Sequence, residues 1–185
     1  ADDDDRQLGI ADIDALESSV IDQCVKLLAK QNPVATDLRV VVSTMRLAST
    51  FERMGDLARH VAEAARRPYP AAAIPESAQP VFAEMINFLD NTADQLVAML
   101  FDRDAKTAEA IILADDKLDN LHHQTFDLAL SDDITRQQTV DIVLLGRFLE
   151  RLGDHAVSAA RRVMFIVSGF DPSKEPTRDE GTDID

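Results

Sequence analysis

The chain has 185 residues, 45% apolar and only 5% aromatic, which is enough for one domain or two small bundles with a genuine core. Six glycines are too few for the turns of an all-β fold, so packed helices rich in Ala, Leu and Val are expected. A formal net charge of −15 repels phosphate backbones and anionic lipid, which disfavours direct nucleic-acid binding and electrostatic membrane docking.

Five helices are predicted in chain order. The first spans about Asp12 to Lys30, with Leu16, Val20, Cys24 and Leu27 or Leu28 on one face, and Asn32 and Pro33 stop it. The second spans about Asp37 to Arg66, with Thr36 or Asp37 as its cap, and ends before Pro68 and Pro70. The third spans about Ser77 to Phe101, with Pro80 tolerated in the first turn. After a tight connection at Asp102–Asp104, the fourth spans about Ala105 to Leu130. The fifth spans about Thr135 to Val167, with Asp133 as a candidate N-cap and Gly169 as its stop. The acidic ends, Asp2 to Asp5 and Asp179, Glu180, Asp183 and Asp185, read as solvated tails, and residues 171–185 as disordered.

Cys24 is the only cysteine, which excludes an internal disulfide and fits a reducing cytoplasm. It lies on an apolar stripe and reads as a core residue. No apolar run approaches the length needed to span a bilayer, and no signal peptide opens the chain. Direct membrane insertion is not expected.

The sequence repeats itself. Phe51-Glu-Arg-Met-Gly-Asp56 and Leu149-Glu-Arg-Leu-Gly-Asp154 share four of six letters, 98 residues apart. The preceding helices correspond as well, Ile13-Asp14-Ala-Leu16 resembling Leu118-Asp119-Asn-Leu121 at an offset of 105. Both motif helices also end near paired arginines, Arg66-Arg67 and Arg161-Arg162. Internal duplication is the simplest account. It divides the chain into an incomplete N-terminal bundle over 1–68, a linker over 69–76, a three-helix bundle over 77–168 and a tail over 169–185. The first half holds one helix fewer than the second, so an exposed apolar groove, or a partner filling one, is expected along the first two helices.

On a helical wheel, Leu145, Leu149, Leu152, Ala156, Ala160 and Val163 form the fifth helix's apolar stripe, with Glu150 and Asp154 off it. Leu47, Phe51, Met54, Ala58, Val61 and Ala65 repeat this on the second helix, with Glu52 and Asp56 off it. Each acidic pair is spaced i, i+4, which puts both carboxylates on one face, expected to point outward. Asp115 and Asp119 form a third such pair, close to Asp116, His122 and His123. Antiparallel packing of the fourth and fifth helices would gather Asp115, Asp119, Glu150 and Asp154, a set suited to Mg, Mn or Fe, or to Zn if a histidine joins. The matching first-half set is Asp14, Glu52 and Asp56, with His60 as a further candidate, and it lacks one acid because Ile10 stands four residues before Asp14. The same pattern also fits acids that are merely a solvated face, with His122, His123 and His155 on the surface. Gly55 and Gly153, inside long helices, fit close helix packing or room beside the carboxylates.

No Ser/His/Asp or Cys/His arrangement, Gly-rich phosphate loop, paired-cysteine motif or HExxH is present. A carboxylate-bridged metal enzyme or metal store would need inward Glu-x-x-His motifs, and the residues three after Glu52 and Glu150 are Gly55 and Gly153.

Taken together, these residues resemble the PhoU family, through Glu52-x-x-x-Asp56, Glu150-x-x-x-Asp154 and Asp115-x-x-x-Asp119 and the segment Cys24–Arg39. The resemblance implies an all-α fold of two repeated three-helix bundles, the first lacking its N-terminal helix in this chain. It also implies a non-enzymatic cytoplasmic regulator that damps phosphate-starvation signalling. Such a protein would connect the ATPase subunit of a phosphate ABC transporter with a sensor histidine kinase, act as a homodimer, and bind a multinuclear iron, zinc or magnesium cluster on its acidic faces. A carboxylate-bridged metal protein and a metal-free helical scaffold are the alternatives.

Overall fold

Local signals in the sequence account for most helix boundaries. The computed structural model describes residues 3–169, and of residues 3–11 the backbone alone. Five helices follow in order: α1 Asp3–Gln31, α2 Ala35–Arg66, α3 Gln79–Asp102, α4 Ala105–Ala129 and α5 Arg136–Ser168. No strand occurs among the described residues. Asn32 adopts a left-handed conformation (φ 46°) and Pro33 follows, which ends α1. Pro80 lies in the first turn of α3, where its missing N–H leaves no bond unmade. Arg103 closes α3 by donating its N–H to the Met99 carbonyl. Asp104 caps α4, accepting from the Lys106 N–H at 2.9 Å and the Thr107 hydroxyl at 2.8 Å. Gly169, at φ 76°, closes α5.

Three boundaries differ from expectation. α1 starts at Asp3 rather than near Asp12, so most of the acidic run expected to be a solvated tail is helical. Acidic residues in a first turn complement the helix dipole, which favours this. α2 starts at Ala35, after Val34, with no side-chain cap; Thr36 instead accepts from Arg39 Nη2 at 3.0 Å. Thr135, not Asp133, caps α5, because only Thr135 has a glutamine three residues on to complete a capping box, Gln138. The tail expected over 171–185 lies outside the described residues.

α5 is the central helix and packs against α2, α3 and α4, whereas α1 packs on α2 alone among the described residues. Two apolar clusters form the core. One joins Ala64, Phe82, Met85, Leu118, Ile142 and Leu149; the other joins Leu47, Leu96, Met99, Ile111, Ala160 and Val163. Ala64 therefore meets the start of α5 and Leu47 its end, so α2 and α5 run antiparallel. The connection before α3 is anchored on the first cluster through Ala73 and Ala78.

The α5 stripe is as expected, but on α2 Ala58 and Ala65 are exposed while Leu57 and Ala64 are buried. α2 sits between α1 and α5, and the buried face is the one turned to α5. Cys24 is buried, as expected of a core residue. The α1–α2 hairpin carries exposed Leu16, Leu27, Val34, Leu38 and Val42. Leu16 is 63% exposed, whereas its counterpart Leu121 is 5% exposed and clustered with Phe82 and Met85 of α3. Among the described residues no helix is long and apolar enough to cross a membrane.

Candidate functional site

The two repeated glycines set the geometry of both acidic faces. A Cβ at Gly153 would lie 2.3 Å from Leu118 Cδ2 and 3.4 Å from Asp115 Oδ1, so α4 approaches the α5 backbone there as no larger residue permits. A Cβ at Gly55 would lie 3.1 Å from Ile13 Cδ1. Ile13 and Leu118 are the residues that the sequence offset of 105 pairs, so the duplication extends to the helix contact itself.

On the α4–α5 face this approach brings together the four carboxylates expected there. Burial and the neighbouring charges of Asp119 and Asp154 push the Asp115 carboxyl up to about 6, with Arg161 opposing. Burial, Asp154 and Asp119 likewise raise Glu150, although Arg147 contacts it at 2.7 Å. Glu150 does not point outward as expected: its side chain is 12% exposed. Asp154 is exposed. Among the described residues, no three His, Cys, Asp or Glu side chains converge as ligands around one point. The charge of this face suits a cation, whereas its side chains do not close a coordination shell.

His122, expected on the surface, is buried at 8% exposure, because it shares the inner face of α4 with Leu118 and Thr125. Its ring lies 5.0 Å from Phe126, and its Nε2 has no hydrogen-bond partner among the described residues. Burial, then Arg147, lowers its pKa. His123 is exposed, with Nδ1 2.7 Å from the Asp119 carbonyl. His155 is half-buried, its pKa lowered by burial and then by Arg151 and Arg53.

On the α1–α2 face, burial and then Asp56, Glu17 and Asp14 raise Glu52. The structure therefore adds Glu17 to the expected set of Asp14, Glu52 and Asp56. Its signal was present in the sequence: it stands one helical turn after Asp14. Asp56 behaves oppositely. Arg59 donates to it at 3.0 Å and holds its carboxyl below the usual range, while also reaching Glu63 at 3.0 Å. His60 adds to the lowering of Asp56, and its ring lies 5.3 Å from Phe148 of α5.

One buried acid escaped the sequence reading. Asp141 is fully buried, accepts from Gln137 Nε2 at 3.0 and 3.2 Å, and lies 3.4 Å from Arg67 Nη1. Extending the α5 stripe back one turn from Leu145 lands on it.

The comparisons with known proteins match this architecture. A family model described as the PhoU domain matches residues 11–65 and again 82–163. The chain is 39% identical over 151 residues to the phosphate-specific transport system accessory protein PhoU homolog 1 of Mycobacterium leprae, covering 80% of this chain and 68% of that protein. It is 40% identical over 148 residues to PhoU homolog 2 of Mycobacterium tuberculosis, covering 79% and 70%. The crystal structure of PhoU from Pseudomonas aeruginosa shares the fold, with a TM-score of 0.81 at 23% identity, over 90% of this chain and 81% of that one. Matched twice, once in each half, the chain belongs to the PhoU domain family.

Proposed function

We propose that this protein is an accessory regulator of phosphate uptake that acts by docking to other proteins and not by turnover. The observation that carries this reading is the match of both halves to the PhoU domain, with relatives named as accessory proteins of the phosphate-specific transport system. In the finer reading it is a cytoplasmic homodimer linking the ATPase subunit of a phosphate ABC transporter to a sensor histidine kinase, and it damps phosphate-starvation signalling. The α4–α5 face would be its regulatory surface, because Asp115, Asp119, Glu150 and Asp154 are held together there at a repulsive cost.

A divalent or trivalent cation of the iron, zinc or magnesium class would offset that repulsion if the side chains turned toward it. Asp115, Asp119, Glu150 and Asp154 would hold it, with Asp14, Glu52 and Asp56 as a weaker first-half set. The metal-free scaffold is a second reading, favoured by the lack of three convergent ligands among the described residues. Elemental analysis separates the two. Glu150→Ala with Asp154→Ala should lower bound metal more than Glu52→Ala with Asp56→Ala, and protein purified without metal would support the scaffold. For the regulatory role, the test is a phosphate-responsive reporter in cells carrying the Asp115, Asp119, Glu150 and Asp154 quadruple neutral variant. Altered repression with a folded bundle is expected, and unchanged signalling would refute the assignment of that face.

A further inference from the structure

The family resemblance implies a cation on each acidic face, and the side chains of the first face do not fit one. No three His, Cys, Asp or Glu side chains converge as ligands there among the described residues. Of its acids Asp14, Glu17, Glu52 and Asp56, two are already engaged. Glu17 accepts from the Ser49 hydroxyl at 2.5 Å. Asp56 accepts from Arg59 Nη2 at 3.0 Å, while Nη1 of the same guanidinium donates to Glu63 at 3.0 Å. Asp56 stands three residues before Arg59 and Glu63 four after it, so α2 itself presents both carboxylates to the two arms of the fork.

The other repeat shows what this position holds when the arginine is absent. The offset of 98 maps Arg59 onto Val157 and Glu63 onto Arg161. Val157 is apolar and buried, so no guanidinium stands at that place on the second face. The same offset maps Ser49 onto Arg147, which donates to both oxygens of Glu150, at 2.8 and 2.7 Å, and so engages a single carboxylate.

We propose that Arg59 is a built-in counter-ion of the first acidic face, standing where a divalent cation would bind and weakening the binding of one. A guanidinium and a metal ion compete for the same carboxylate oxygens, and a divalent ion beside a fixed positive charge is repelled by it. Arg59 and Asp56 are each little more than a third exposed, which leaves that charge only partly screened by solvent. The duplicated motif is then specialised rather than redundant: the first face carries its own cation, whereas the second takes its charge balance from what binds it. This deepens the cation reading above and rests on it for the second face alone.

The test is a titration of the full chain with Mn(II), read by paramagnetic broadening of amide signals. In the unaltered protein, residues 115–119 and 150–154 should broaden at lower Mn(II) than residues 52–56. Arg59→Gln keeps an unbranched polar side chain and removes its charge. Residues 52–56 should then broaden at a Mn(II) concentration at least about tenfold lower, with the helical signal unchanged. Arg136→Gln, the same loss of charge at the exposed start of α5, should leave both faces as they were. A first face that binds no better in Arg59→Gln, or one that gains as much in Arg136→Gln, would overturn the proposal. Binding at the second face without the gain in Arg59→Gln would sink this inference and leave the cation reading standing. The gain without any binding at the second face would do the reverse.

Discussion

The two halves carry the same acidic motif on the same helix position, and Glu52 and Glu150 are raised in both, yet the acids beside them fare differently. In the first half Arg59 bridges Asp56 and Glu63, and the Asp56 carboxyl is held low. In the second half Arg147 reaches Glu150, while Arg161 only partly opposes the rise of Asp115, which is half-enclosed beside Asp119 and Asp154 and pushed up to about 6. Duplication supplied one scaffold twice. Burial depth and the placement of single arginines then left the first face mixed, with Glu52 raised and Asp56 lowered, and the second more strained, with both Glu150 and Asp115 raised. Charge stored in this way responds to whatever neutralises it, a proton, a cation or a basic partner, which is why the second face is the better regulatory candidate.

The sharpest way to break the comparison is at the glycines. Gly153→Ala drives a methyl to 2.3 Å from Leu118, which is fully buried and cannot yield. Overpacking of this kind costs about 1–3 kcal/mol and exceeds the helix-propensity gain of up to about 1 kcal/mol. Gly55→Ala meets only the tip of the half-buried Ile13 at 3.1 Å, so the propensity gain should prevail and the variant should be neutral or slightly more stable. Urea unfolding of both variants measures this, and equal losses would show that the two contacts are the same after all.

The next contrast lies one turn before the apolar stripes, where Ser43 and Asp141 correspond at the offset of 98 and both are fully buried. Asp141 has Gln137 and Arg67 as partners, while the Ser43 hydroxyl has none among the described residues. Asp141→Ala should cost about 1–2 kcal/mol; Arg67, half exposed, remains hydrated and limits the loss. Ser43→Ala should be neutral or stabilising, within about 0.5 kcal/mol, because no bond is lost. A large loss at Ser43 would reveal a partner outside the described residues.

Much of this was legible in the sequence, and the failures have physical causes. Periodicity and the breakers Pro33, Pro68 and Gly169 placed all five helices, because amphipathic patterns of that length admit few alternatives. The motif offset located the acids that share a face. What the wheel could not supply was depth. Glu150 and His122 lie beside the apolar stripes, and whether a flanking position is wet depends on how closely the next helix approaches, which Gly153 decides. Asp141 was missed because an acid on a core stripe reads as the end of the stripe until Arg67, 74 residues away in the chain, is seen beside it. The asymmetry between Arg59 and Arg147 depends on rotamers, which spacing alone does not fix.

A smaller effect follows from pH. The ordinary carboxyl value is 3.8 and that of Asp115 in the fold is about 6. Between them the folded state holds the proton more tightly, so this group's contribution to stability falls as pH rises from about 4 to about 6 and stays lost above it. Asp115→Asn should remove that slope and raise stability near neutral pH by on the order of 1 kcal/mol after allowance for solvent screening. Thermal unfolding of both proteins across pH 4 to 8 reads it out. Asp56 has the opposite sign: its lowered value contributes stability above the ordinary carboxyl range that is lost on acidification.

The most direct measurement is the titration of individual carboxyl carbons by NMR in metal-free protein. The account predicts a midpoint near 6 for Asp115 and one below 3.8 for Asp56 in the same sample. Midpoints that coincide, or an Asp115 value near 3.8, would contradict the claim that the second acidic face is the more strained of the two.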